Sequence, residues 1–194
     1  MVIKIIPKTS AWDHAVSLDK HIVKSVPIGP NAQGYMQFDT ERTLIGEEVF
    51  LLKYRSDFTK VDSLAQSVIK ALQDKMFPEI HVVVPMPASK KRAQQPVYEV
   101  AKKVAQILGV FYTEDVLVKI KSTGVMKDLE SYGERVDALK GCFEARARLN
   151  AGPWNILVID DLYDTGASLE AACTELRKYT NIKSISVVAL TRRH

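Results

Sequence analysis

Cysteine is scarce in this chain of 194 residues: only Cys142 and Cys173 occur, on separate segments and with no CxxC pair. That spacing speaks against a zinc knuckle and a disulfide framework, and both thiols are expected to be reduced and buried. Long apolar runs are missing as well. No stretch approaches the roughly 20 residues that cross a bilayer, and the first residues lack the apolar core of a signal peptide. A cytoplasmic location without a membrane partner is the resulting expectation. His14, His21, His81 and His194 show no metal-ligand spacing. Neither GxxxxGK[S/T] nor GxGxxG occurs, which leaves triphosphate and dinucleotide folds without support. The chain has no internal repeat and no low-complexity segment.

Hydrophobic residues make up 46% and charged residues 26%, the balance of a globular domain. The length suits one well-buried domain. A net charge of +4 and a pI near 9.0 favour anionic partners. An excess this modest suits a phosphorylated metabolite as well as nucleic acid, and a nucleic-acid partner is admitted but not favoured.

Along the chain, MVIKIIPK reads as a short edge strand, and the Pro-, Gly- and Asn-rich run at 26–35 reads as a loop. Residues 1–45 are expected to form a peripheral extension or hood, and 46–194 the core domain. EEVFLLKYR at 47–55 reads as a strand on β-propensity. A helix is expected over 61–76, with Leu64, Ala65, Val68, Ile69 and Leu72 at helical spacing and Pro78 as a stop. IHVVVPMP (80–87) has the continuous β-branched pattern of a strand buried on both faces. After the polar loop ASKKRAQQ, a helix is expected from Pro96, a favoured first position, to Leu108 before Gly109.

Residues 110–120 supply strand material, and a polar stretch with three glycines follows over 121–145. NILVI, a loop and an amphipathic helix form a second strand–loop–helix unit, and ISVVALT closes as another strand. Alternating β and α elements predict an α/β fold with a mostly parallel sheet flanked by helices.

The second unit carries the densest chemistry. In a parallel sheet, ligands bind beyond the carboxyl ends of the strands, and Asp160 and Asp161 stand at such an end. The following helix offers unpaired N–H groups at its N-terminus, Gly166 allows close backbone approach, and Thr165 and Ser168 add hydroxyls. The loop is suited to a phosphate. Two carboxylates beside a phosphate would repel it, so they are expected to accept hydrogen bonds from sugar hydroxyls or to hold a divalent cation through water.

IDDLYDTGAS (159–168) resembles the phosphoribosyl-pyrophosphate (PRPP) signature of type I phosphoribosyltransferases. The resemblance implies that Asp160 and Asp161 contact the ribose hydroxyls and Mg²⁺. It further implies that the loop Asp164, Thr165, Gly166, Ala167 and Ser168 wraps the 5-phosphate. The loop after VVVPMP, with Ala88, Ser89, Lys90, Lys91 and Arg92, stands where the family grips the pyrophosphate. Its cations would offset charge on that leaving group, the alternative being a solvated basic turn.

Within the superfamily, LKYRSD (52–57), VVVPMP, GERVDALKGCF (133–143), the signature and VVALTRR (187–193) together resemble ComF-type competence-associated phosphoribosyltransferases. Asp164 stands where that group usually has Thr. An acid there resembles the hypoxanthine-guanine phosphoribosyltransferases and implies a general base beside the incoming base. Asp160, Asp161 and Asp164 are thus the candidate catalytic residues.

The implied activity is transfer of the 5-phosphoribosyl group to a nitrogen nucleophile, with a nucleobase as the expected acceptor, and release of pyrophosphate. The competing class is a catalytically silent PRPP-binding regulator or a DNA-uptake accessory. Relatives are often dimers, so a homodimer is admitted. Lys119, Lys121, Lys127 and Arg135 flank the central polar stretch and are read as solvated surface.

Overall fold

The computed structural model describes residues 1–75, 77–90, 92–121, 132–146, 149–150 and 152–194. Ten strands, five α-helices and one short 3-10 helix (Phe58–Lys60) follow one another in these residues. The central sheet holds β1 (Lys4–Ile5), β2 (His14–Lys20), β5 (Val82–Pro85), β6 (Phe111–Tyr112), β9 (Trp154–Tyr163) and β10 (Ile182–Arg192), in the order β1-β2-β10-β9-β5-β6. Only β1 runs antiparallel to its neighbour. The mostly parallel α/β sheet expected from the sequence is present.

Period-two alternation divides the apolar strands between two cores. Val82, Val84, Ile156, Val158, Ile185 and Val187 face one side, with α5 (Ala167–Leu176) and the buried Trp12. Val83, Leu157, Ile159, Val188 and Leu190 face the other, under α1 (Leu44–Arg55), α2 (Val61–Asp74) and α3 (Pro96–Leu108). The sheet is thus apolar on both faces.

Several elements lie where the sequence puts them. α2 ends before Pro78, and α3 begins on Pro96 and closes on Gly109, which is left-handed at φ 68°. Leu169, Ala172, Cys173 and Leu176 are all buried on the sheet-facing side of α5. Cys142 and Cys173 are free and buried.

Three expectations are corrected. Residues 47–55 are helix, not strand: Thr43 caps α1 by accepting from the Gly46 amide, and Ile45, Val49 and Leu52 are buried at helical spacing. Burial of that stripe outweighs the β-propensity at its centre. Of the run 26–35 read as a loop, 26–30 is strand and only 31–35 is turn, because β3 (Ile22–Pro30) and β4 (Met36–Arg42) form a two-stranded hairpin. Pro27 and Pro30 are tolerated there because a two-stranded ribbon has free edges. Its turn is held by Asn31, whose Oδ1 accepts from the Gln33 and Tyr35 amides at 3.0 and 2.9 Å. Finally, residues 1–20, read as part of a peripheral extension, supply β1 and β2 of the central sheet, with β2 in parallel register against β10.

The remaining strand material at 110–120 is divided. The edge strand β6 is followed by β7 (Leu117–Lys119), which pairs antiparallel with β8 (Phe143–Ala145) beyond α4 (Tyr132–Leu139). Part of the polar stretch expected there, 122–131, lies outside the described residues, as do Met76 and Lys127.

One ion pair ties the N-terminal segment to the core. Asp13 meets Arg177 just past α5, accepts from the Ile185 amide at 3.0 Å and lies 3.3 Å from Lys8. Burial pushes the Asp13 carboxyl up, but the Ile185 amide and the Arg177 guanidinium outweigh it and hold it below the usual carboxylate range. A depressed folded pKa contributes stability above the unfolded value of about 3.9, and that stability is lost as pH falls through the folded value. Asp13→Asn is therefore expected to lower the melting temperature at pH 7 and to flatten its fall on acidification below about pH 5, as read by thermal melts at several pH values. Equal slopes for variant and wild type would sink this assignment.

Candidate functional site

At the end of β9, Asp160 and Asp161 follow four buried residues, Ile156 to Ile159. The Asp161 amide donates to Asp160 Oδ1 at 2.8 Å, which turns one carboxylate back on the chain. Alternation directs the two side chains to opposite sides of the strand. The charge of Asp160 reaches Cys173 in α5, whereas Asp161 meets Lys53 of α1 in a close ion pair.

The electrostatics follow from this placement. Burial first, and then the charge of Asp161, push the Asp160 carboxyl above the usual range. Burial pulls the Lys53 ammonium down, but the charge and hydrogen bond of Asp161 outweigh it and raise it. Burial pushes the Cys173 thiol up to about 12, so it is not a reactive thiolate at neutral pH.

A cavity of about 310 Å³ opens beside the pair. Its wall includes Asp160 and Asp161, Lys53 and Tyr54 from α1, and Ala88, Ser89, Lys90 and Arg92 from the loop after β5. The acid pair and the basic loop, more than 60 residues apart in sequence, thus share one wall because β5 and β9 are adjacent parallel strands. Lys91 of the same loop lies outside the described residues.

The loop is pinned from two directions that the sequence did not reveal. The Ala88 amide donates to Tyr98 Oη at 3.1 Å, and the Gln95 side-chain amide donates to the Lys90 carbonyl at 2.8 Å. Lys119, read as solvated surface, instead reaches Ser89 Oγ at 3.4 Å from β7, and burial pulls its ammonium below the ordinary value.

Asp164, Thr165, Gly166, Ala167 and Ser168 form the adjoining turn into α5 and do not line this cavity. Gly166 has φ +84°, and a Cβ there would come within 2.9 Å of the Tyr163 ring, so glycine is required on two counts. The Ala167 amide donates to Thr165 Oγ1 at 3.4 Å. Asp164 does not stand alone beside a phosphate position: Arg193, just past β10, lies 3.2 Å from its carboxylate.

Lys53 is the main site residue that sequence reading missed. The helical spacing of Ile45, Val49 and Leu52 was the available signal, since a helix there carries Lys53 toward the strand ends. Among the described residues no group of three or more His, Cys, Asp or Glu side chains could hold a metal. Asp160 and Asp161 supply carboxylate oxygens of the kind a hard divalent cation takes, and with Asp161 paired to Lys53 such a cation would draw its remaining ligands from a phosphate and water. Among the described residues no helix is long and apolar enough to cross a membrane.

No protein-family model matches the chain. The competence protein ComFC of Bacillus subtilis (strain 168) is 28% identical over 154 residues, which cover 79% of this chain and 62% of ComFC. The chain therefore spans less than two thirds of that relative's length. An adenine phosphoribosyltransferase crystal structure superposes with a TM-score of 0.47 at 17% identity, covering 88% of this chain and 94% of that one. A hypoxanthine phosphoribosyltransferase from Staphylococcus aureus superposes with a TM-score of 0.41 at 17% identity, over 68% of this chain and 62% of that one. With its mostly parallel α/β sheet, the IDDLYDTGAS run toward the end of β9 and its similarity to ComFC, the chain resembles the type I phosphoribosyltransferases of the ComF kind.

Proposed function

We propose that the chain binds PRPP and transfers its 5-phosphoribosyl group to a nitrogen nucleophile, a nucleobase, releasing pyrophosphate. The observation that carries this reading is the cavity whose wall joins the acid pair to the basic loop after β5. Such a cavity suits a ligand with hydroxyls at one end and a polyphosphate at the other.

On this reading Asp160 and Asp161 accept from the ribose hydroxyls, and the turn 164–168 holds the 5-phosphate with backbone amides at the start of α5. Ala88, Ser89, Lys90, Lys91 and Arg92 receive the departing pyrophosphate. Mg²⁺, held against Asp160 and Asp161 through water or ribose oxygens, would neutralise charge on the phosphates. The chain contributes position and preorganised charge around an oxocarbenium-like C1.

Asp164 is assigned to the incoming base, where its carboxylate takes the proton from the nucleophilic nitrogen. Its pairing with Arg193 supports a carboxylate turned away from the phosphate. Asp164→Asn should lower the transfer rate by about 100-fold while changing PRPP affinity less than about threefold, measured by steady-state rates beside calorimetry. Equal loss in both would count against the assignment.

The similarity to a competence protein favours a second reading, a PRPP-binding protein without transfer activity. Titration of PRPP into the protein with and without Mg²⁺, followed by a pyrophosphate-release assay across nucleobases, separates the two. Mg²⁺-dependent micromolar binding with release supports the transferase, and binding without release from any base supports the silent binder. No PRPP binding would sink both.

A further inference from the structure

We infer that Lys53 is a positioning residue that alternates between Asp161 and the phosphates of the ligand. In the structure its ammonium neutralises Asp161. The side chain is only 26% exposed, and an ammonium so enclosed requires a counter-charge. The same side chain lines the cavity that Ser89, Lys90 and Arg92 enter from the opposite element. This inference rests on the PRPP reading of that cavity.

The base of the lysine is held firmly. Thr43 caps α1 at its start and Ser56 closes it in a left-handed conformation. Gly46 lies flush against the backbone of His21. Motion is therefore confined to the four-carbon stem, whose terminal ammonium can exchange partners without rearranging the helix.

Exchange follows from charge. When sugar hydroxyls or a divalent cation engage Asp161, the carboxylate no longer serves Lys53 alone, and the ammonium needs another anion. A phosphate bound by the loop after β5 is the anion that enters the same cavity. Two consequences follow. Lys53 and a divalent cation compete for Asp161 in the unliganded protein, and the ligand must carry phosphate on the side of the basic loop, so a ribose with phosphate only at its 5-position should bind much more weakly.

The test is calorimetric titration of the full chain, as wild type, Lys53→Met and Lys53→Arg, with PRPP plus Mg²⁺, with ribose 5-phosphate, and with Mn²⁺ alone. Thermal melts confirm that each variant is folded. Lys53→Met should weaken PRPP binding 10- to 100-fold, Lys53→Arg should restore most of it, and Mn²⁺ should bind Lys53→Met more tightly than wild type. Ribose 5-phosphate should be nearly indifferent to the substitution.

PRPP affinity unchanged in Lys53→Met overturns the inference and leaves the PRPP reading intact. A loss that Lys53→Arg does not restore also overturns it, since that marks a structural ion pair. Unchanged or weaker Mn²⁺ binding by Lys53→Met overturns the competition for Asp161. Failure of the wild type to bind PRPP overturns the PRPP reading and this inference with it.

Discussion

Replacing both Asp160 and Asp161 by Asn should abolish Mg²⁺-dependent PRPP binding. On the proposed reading each carboxylate accepts hydrogen bonds from the sugar that an amide supplies less well, at about 1.5–3 kcal/mol apiece, so affinity should fall at least roughly 100-fold. The double variant also leaves Lys53 without the counter-ion it has in the structure. Calorimetry on wild type and variant decides the matter, and retained binding in the variant would remove the acid pair from the site.

The single variant Asp160→Asn separates loss of binding from loss of fold. Burial and the neighbouring charge raise the Asp160 carboxyl. A group raised on folding stabilises the fold fully below its unfolded pKa, about 3.9 for Asp, and that contribution is lost as pH rises through the folded value. At pH 8 the ionised Asp160 is therefore a cost to the fold. Asn keeps an oxygen to accept from the Asp161 amide without that cost. Asp160→Asn should melt no lower than wild type at pH 8 while binding PRPP more weakly. A variant that melts several degrees lower would mean that the carboxylate is structural.

The second large effect is expected at Gly46→Ala. Alanine is ordinarily the better helix former by about 1 kcal/mol, which alone would predict stabilisation. Here a Cβ would lie 2.1 Å from the His21 carbonyl oxygen and 2.9 Å from its carbon, both backbone atoms that cannot swing aside. α1 must then move off the segment joining β2 to the β3–β4 hairpin. Overpacking of this kind costs about 3 kcal/mol, which for a domain of this size lowers the melting temperature by about 6–12 °C. Because Lys53 rides on α1, PRPP affinity should fall as well. A melting temperature at or above wild type would show that α1 shifts without penalty.

Much of the site was legible because it is written in short-range patterns. The run NILVI before the acid pair, the Thr-Gly turn and the spacing of Leu169, Ala172, Cys173 and Leu176 predict β9, its loop and α5, and the structure has each of them. Pro96 and Gly109 mark the ends of α3 to the residue, since one fixes a helix start and the other accepts the left-handed conformation that ends it. The α/β alternation in turn determined a mostly parallel sheet.

What only the tertiary structure decided is long-range. β2 joins the sheet against β10, and Arg177 reaches back 166 residues to the Ala11 carbonyl. No local period encodes such pairings, because their stability comes from contacts formed only when distant segments meet. Helix α1 shows the same limit. Its apolar stripe competes with strand propensity in isolation, and burial of Ile45, Val49 and Leu52 against the sheet settles the contest. That packing brings Lys53 to Asp161, so the sequence alone determined which residues form the acid pair and the basic loop, while the fold decided which cation stands against them.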